Sequence, residues 1–511
     1  MSPLLPRRTP RTGASAVRRS VLAATAVAVA SALVLTGCSG SSNEIGGADA
    51  TVRVGLVLEP TSLDIRTQSG AALDQVLIDN VYQGLVGRTA DGDVHDVLAS
   101  KHEVSSDGLT YTFTLRKGTT FQDGKDVTAD DVVWSLQQVK ANASYVDSAQ
   151  LANVSSITSP STGVVQLKLV KPDSDLLWNL TGRAGLVLEK AAKNDLSDTA
   201  NGTGPYELSS WKQGDSLTFK RNPDYWGTKA KVAKVVFRYI TQPSTAVNAM
   251  ANGDLDVQTS VDGTLKSQLQ GNSDITLHTG KTTDKYTLAF NDQKAPFTDK
   301  RVRQAIRQAI DAKAIIKAVG GTGVEQGGPI PELDPGYQDL TDIDAYDPAN
   351  AKKLLASAGA TNLKLTLTYA NIYSATIGDV LKSQLADVGI TLTVKRVDFA
   401  TWLSQVFEKK DFDLSMVNHV EARDFGNWAN PDYYFGYDNP EVQSLYADSV
   451  TATSQSDKVA DLQKAAKIVS EDAAGEWLYT ATAITAVRKG VTGVPYDGTN
   501  SRLDLSKLAV K

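Results

Sequence analysis

Between Ser105 and Leu136, SSDGLTYTFTLRKGTTFQDGKDVTADDVVWSL, the hydrophobic period switches within a few residues from that of a strand to that of a helix. Tyr111, Phe113 and Leu115 alternate with Thr112, Thr114 and Arg116, the pattern of a half-buried strand. Asp107-Gly108 and Asp123-Gly124 supply turns on either side. Thr128 followed three residues later by Asp131 predicts a capped helix start, since the hydroxyl and the carboxylate satisfy amides that the first helical turn leaves open.

The same alternation returns in the second half. Val302, Ala305, Ile306, Ala309 and Ile310 share one helical face, so RVRQAIRQAIDAKAI predicts a single amphipathic helix with its arginines mostly in solvent. Asp347 and Pro348 predict the start of another helix, with Ala351, Leu354, Leu355 and Ala358 as its buried stripe and Gly359 as its end. Leu363, Leu365 and Leu367 alternate as a strand; a helix through Val380, Leu381 and Leu385 runs to Gly389, and Ile390, Leu392 and Val394 alternate again. Strands and helices in turn, with no internal repeat after residue 50, define an α/β fold with mixed sheets and exclude solenoids and propellers.

The first 37 residues have another character. Arg7, Arg8, Arg11, Arg18 and Arg19 precede an apolar run from Val21 to Leu35, about 15 residues long, where a membrane-spanning helix needs about 20. This reads as a signal peptide. The chain's one cysteine, Cys38, follows it directly, and Leu35-Thr36-Gly37-Cys38 resembles the lipobox of bacterial lipoproteins, which implies cleavage before Cys38 and lipid on its sulfur. Arg18-Arg19 also resembles a twin-arginine signal faintly; a generic positive flank is the simpler reading. SGSSNEIGGADA then suits a flexible tether over 38–50. The net charge is −6, and loss of the five leader arginines takes it to −11, which argues against nucleic-acid binding.

Several segments together resemble the extracytoplasmic solute-binding proteins that serve ABC importers of dipeptides, oligopeptides, nickel complexes and some oligosaccharides, known as solute-binding protein family 5. They are Glu59-Pro60-Thr61-Ser62-Leu63-Asp64, the Ser105–Leu136 stretch, Gly202-Thr203-Gly204-Pro205-Tyr206 with Trp211, Arg221-Asn222-Pro223-Asp224-Tyr225-Trp226-Gly227, LAFNDQKAPFTDKRVRQAIRQAID and YDPANAKKLLASAG. Most of these residues are turns and packed aromatics expected to hold the fold rather than touch a ligand. The resemblance implies a two-lobed periplasmic-binding-protein-like fold of the type II, cluster C-like kind, with an extra subdomain inserted in the N-terminal lobe. The first lobe is expected from 51–69, 202–284 and 488–511, the inserted subdomain from 70–201 and the second lobe from 285–487. It also implies a monomeric receptor, without cofactor, held at the outer face of the cell membrane, and partners in the permease subunits and, through them, the ATPases.

In peptide-binding members an aspartate after a strand resembling Phe412-Asp413-Leu414 takes the peptide ammonium. Here the stretch from Phe412 to Phe435 carries His419, Glu421, Arg423 and Asp424 ahead of Trp428 and Pro431, several residues more than the usual pattern. The resemblance makes Asp424 the first choice for the ammonium and Glu421 the second, although a solvated charged loop is an equal reading of the cluster. Arg423 suits a carboxylate, while Trp428, Tyr433 and Tyr434 suit a pocket wall or a sugar platform. Glu59 lies where members bring an early loop to the cleft. His419 is a ligand only if the solute is a nickel complex, since His95, His102, His278 and His419 show no paired metal-ligand spacing. An oligosaccharide, a sensor-coupled receptor and a secreted hydrolase remain as alternatives; the hydrolase lacks Gly-x-Ser-x-Gly and His-Glu-x-x-His motifs.

Overall fold

The structure, a computed structural model, describes residues 49–68, 70–499 and 501–511. The expected signal peptide and Cys38 lie outside them. None of the described helices is long and apolar enough to cross a membrane.

An eleven-stranded mixed sheet organises the chain. At one end Thr51–Leu56 lies parallel to Lys234–Tyr239, which pairs antiparallel with Ser216–Arg221, followed by Tyr206–Lys212. At the other end Lys364–Ala370 lies parallel to both Thr391–Val397 and Leu414–His419. Two long antiparallel strands, Ile275–Phe290 and Gly475–Arg488, join the halves. Their register runs from Ile275 opposite Arg488 to Ala289 opposite Gly475 and breaks between Lys281 and Lys285. On one side of the break Gly475–Arg488 pairs with Val257–Gln258; on the other, Lys285 to Phe290 pairs with Leu414–His419. Each half has its own core, built on Val52, Val54, Tyr206, Phe219 and Phe237 in the first lobe and on Phe290, Ile306, Leu367, Leu381 and Leu414 in the second.

A separate four-stranded antiparallel sheet is covered by the helix Ala129–Ala141. Its strand Thr110–Leu115 buries Tyr111, Phe113 and Leu115, and Thr128 and Asp131 form the reciprocal capping box that the sequence predicts. The core of this inserted subdomain runs from Leu85 to Val187, narrower than 70–201: Leu73, Val76, Leu77 and Tyr82 pack with Val52 in the first lobe. Gly202 and Gly204 seal the junction, because a Cβ at either would lie 1.9 Å from the Val81 carbonyl oxygen or 2.3 Å from that of Asn80.

Three expectations are corrected in the second lobe. RVRQAIRQAIDAKAI forms two helices, Lys300–Gln308 and Ala312–Ala318, because the Asp311 side chain accepts from the Ala314 N–H and starts a new one. Arg303 and Arg307 are buried rather than solvated: Arg307 donates to Glu476 at 2.9 Å, and Arg303 donates to the Phe297, Asp472 and Ala473 carbonyls. Leu354 and Ala358 are only half-buried beside the fully covered Ala351 and Leu355.

Candidate functional site

A cavity of about 680 Å³ lies where the first lobe, the inserted subdomain and the second lobe meet. The inserted subdomain contributes Arg88 and Trp178, the first lobe Tyr225, Trp226 and the segment from Gly493 to Lys507, and the second lobe Asp334, Ala422 and Thr283. Thr283 lies past the strand break after Lys281 and donates to the Val420 carbonyl, so this lobe begins a few residues before the expected 285. A concave, mixed polar and aromatic site at a domain junction is the usual form of a small-solute pocket.

Arg88 ends the strand Val86–Arg88, one arm of a hairpin with Val94–Asp96 that is closed by the Thr89 N–H donating to the Asp93 carbonyl. Its guanidinium lies 4.2 Å from the centre of the Trp178 ring. Burial, then the charge of Arg502, pulls its pKa down to about 9. Arg502 donates to the Thr181 carbonyl and stands 3.3 Å from Asp79, whose carboxyl burial pushes above its usual range. Tyr225 and Trp226, expected only to close a turn, do both jobs. The Trp226 indole donates to the Thr203 carbonyl at 3.0 Å, the Tyr225 hydroxyl accepts from Gln83 at 3.0 Å, and both rings line the cavity.

On the second lobe Asp334 is buried, 7% exposed. Its Oδ2 accepts the Arg423 backbone N–H at 2.6 Å, its Oδ1 has no hydrogen-bond partner, and burial raises it to about 6 against the opposing pull of Lys285. Nothing in the sequence pattern marks Asp334, Arg88 or Arg502; only their convergence in space does.

Arg423 is held at a left-handed φ of 58°. Its guanidinium lies 3.8 Å from the centre of the Trp178 ring and donates to Asp175 at 3.1 Å, and Lys458 shares that carboxylate. Ser174 adds bonds to the Ser449 and Val450 carbonyls. Arg423 thus clasps the inserted subdomain to the second lobe instead of lining the cavity.

The other expected residues also lie elsewhere. Asp424 is matched by Lys285 at 3.1 Å, and the same ammonium donates to the Thr283 and Glu421 carbonyls, so an internal cation already stands where a ligand amine was expected. Burial raises the Asp424 pKa, with Lys285 opposing. The Glu421 side chain is exposed. Trp428 is core: it stacks on Phe435 at 4.1 Å and packs near Trp477. Tyr434 is buried beneath His419, Tyr433 leans on Phe407, and none of these aromatic rings lines the cavity. Glu59 accepts the Gly214 N–H at 2.7 Å and fixes a turn in the first lobe. The aromatic wall comes from Trp178, Tyr225 and Trp226 instead.

His419, Glu421 and Asp424 bring potential metal-ligating atoms within 4.8 Å of one another. The Lys285 ammonium on Asp424 and the contact of His419 Nε2 with the Tyr434 hydroxyl at 3.3 Å make this a poor fit for a divalent ion, because a fixed positive charge occupies the cluster.

Two cores joined by a strand pair, with a cavity walled from both, define a two-lobed solute-binding protein. The chain belongs to the bacterial extracellular solute-binding proteins, family 5, whose "family 5 Middle" profile matches residues 93–441. It is 26% identical over 453 residues to the probable D,D-dipeptide-binding periplasmic protein DdpA of Escherichia coli K12, covering 81% of this chain and 86% of the relative. It is 27% identical over 508 residues to the glutathione-binding protein GsiB of Escherichia coli O1:K1 / APEC, covering 94% and 96%. Its fold matches the ABC transporter substrate-binding protein CtaP of Listeria monocytogenes with a TM-score of 0.81 at 22% identity, over 90% of this chain and 99% of that one. These are binding proteins, and the hydrolase alternative is set aside.

Proposed function

We propose that this chain captures peptides in the interlobe cavity and delivers them to the permease subunits of an ABC importer, tethered to the outer face of the membrane by lipid on Cys38. The observation that carries the peptide reading is Asp334, a buried carboxylate on the cavity wall with one oxygen unpartnered, opposite a wall bearing Arg88 and Arg502. A buried anion gains most from a ligand cation, and a peptide ammonium supplies one. The names of DdpA and GsiB, both binders of small peptides, support the same class. Contact with both lobes makes closure favourable only with solute in place.

Thermal unfolding of the full-length protein against pools of free peptides, N-acetylated peptides, oligosaccharides and nickel chelates tests this. Ligand at about 100 times its dissociation constant stabilises a fold by about 2.7 kcal/mol. A shift with free but not acetylated peptides supports the reading; a response to sugars or nickel chelates alone overturns it. Labelling of the intact cells' protein with a fatty-acid analogue, lost in Cys38→Ser, tests the tether.

A further inference from the structure

Charge is unevenly matched around the cavity. Asp79 faces Arg502 at 3.3 Å, Asp96 faces His102 at 2.7 Å, and Asp504 accepts the Ser506 N–H at 2.9 Å. Arg88 is different: among the described residues its guanidinium makes no hydrogen bond or ion pair, and its contact is the face of Trp178. Beside it, Arg502 is only 9% exposed; its Nε stands 3.3 Å from Asp79, while its Nη1 has no hydrogen-bond partner.

Two guanidiniums at one end of a cavity repel each other, and Asp79 meets only the Arg502 Nε, so the Arg88 fork and the buried Arg502 Nη1 are left to a second anion. An indole under a guanidinium fixes its plane while leaving the N–H fork free for planar, two-pronged contact. That geometry fits a carboxylate better than a hydroxyl or an amide oxygen.

We infer that this end of the cavity is a carboxylate seat, in which Arg88, laid on Trp178 and backed by Arg502, takes a carboxylate of the bound solute. The inference rests on the proposal that the interlobe cavity holds the solute, and it adds a charge requirement to that reading. Arg423 reaches the same indole from the second lobe, so the ring that orients Arg88 is itself positioned by a contact between subdomains.

The test is equilibrium dialysis of the full-length protein in detergent, read by mass spectrometry, against two mixed pools. One holds short peptides as free acids together with the same peptides as C-terminal amides; the other holds sugar acids together with neutral oligosaccharides. The expected result is enrichment of acids over their uncharged counterparts by about tenfold or more, the weight of a charge-assisted pair. Arg88→Gln abolishes that preference, and Arg88→Lys, which keeps the charge but not the fork, retains part of it. Equal retention of amides and acids overturns the seat while leaving peptide capture intact. Retention of sugar acids with neglect of all peptides does the reverse. Undiminished acid preference in Arg88→Gln, or no retained acid from either pool, also overturns it.

Discussion

Lys285 holds its Nζ 3.1 Å from Asp424 Oδ1, with both side chains almost fully covered. The lysine sits at the register break between the two long strands and the aspartate at the loop after Leu414–His419, so the pair ties the second lobe's charged loop to its central strand.

Breaking this pair from either side leaves a buried charge alone. Lys285→Met is expected to destabilise the protein by about 3–5 kcal/mol in urea unfolding. Asp424→Asn is expected to lower stability while leaving affinity for an amine-bearing peptide within about threefold. A large affinity loss in Asp424→Asn at unchanged stability would return Asp424 to the ligand site.

Asp334 has its pKa raised to about 6 from an unfolded value near 3.8, so the folded state binds the extra proton between those pH values. The burial of its carboxylate therefore opposes folding above pH 6, by about 3 kcal/mol, and that opposition fades as pH falls toward 3.8. Asp334→Asn is expected to be more stable than wild type at pH 7.5. A ligand ammonium favours the charged form, so peptide affinity should fall as pH drops below 6, by up to about tenfold per unit, and the dependence should vanish in Asp334→Asn. Calorimetric titration at pH 5 and 7.5 checks both.

His419 moves the other way. Burial, then the charge of Lys285, depresses its pKa to about 4, so between pH 4 and 6.5 the unfolded chain takes up the proton first. The stability that this contributes is complete above pH 6.5 and is lost as pH falls toward 4, about 3 kcal/mol in all. The difference between His419→Phe and wild type in urea midpoint should therefore shift in favour of the variant between pH 7.5 and 4.5. A difference independent of pH would contradict the buried neutral imidazole.

Thr128→Ala removes the hydroxyl that accepts the Asp131 N–H at 3.3 Å and donates to its carboxylate at 2.6 Å. A loss of about 1 kcal/mol is expected, with solute binding unchanged, because the helix belongs to the inserted subdomain's core rather than to the cavity wall.

The Thr128 cap, the alternating strand at Tyr111 and the Asp347-Pro348 helix start were all legible because each is decided within a few residues by backbone amides and side-chain period. Arg307 was not. Its helical neighbours cannot reveal that Glu476 waits on another strand to receive it. The site failed for the same reason on a larger scale. Arg88, Trp178 and Arg423 come from distant parts of the chain and meet on one indole, while the charged loop that looked ligand-facing in sequence turned inward because Lys285 met it. Aromatic residues carried the opposite ambiguity, since Trp428 and Trp226 look alike in sequence, and only packing makes one core and the other wall.

The paired long strands have a topological consequence. The chain leaves the first lobe near Lys281, builds the whole second lobe, and returns at Thr482, the residue directly opposite Lys281 in the ladder. Exit and re-entry thus share one rung of the ladder, and the second lobe is inserted at what would otherwise be the tip of a hairpin. A turn of two residues such as Asn-Gly, joining Lys281 to Thr482, spans that gap and would close the first lobe into an uninterrupted sheet of its own.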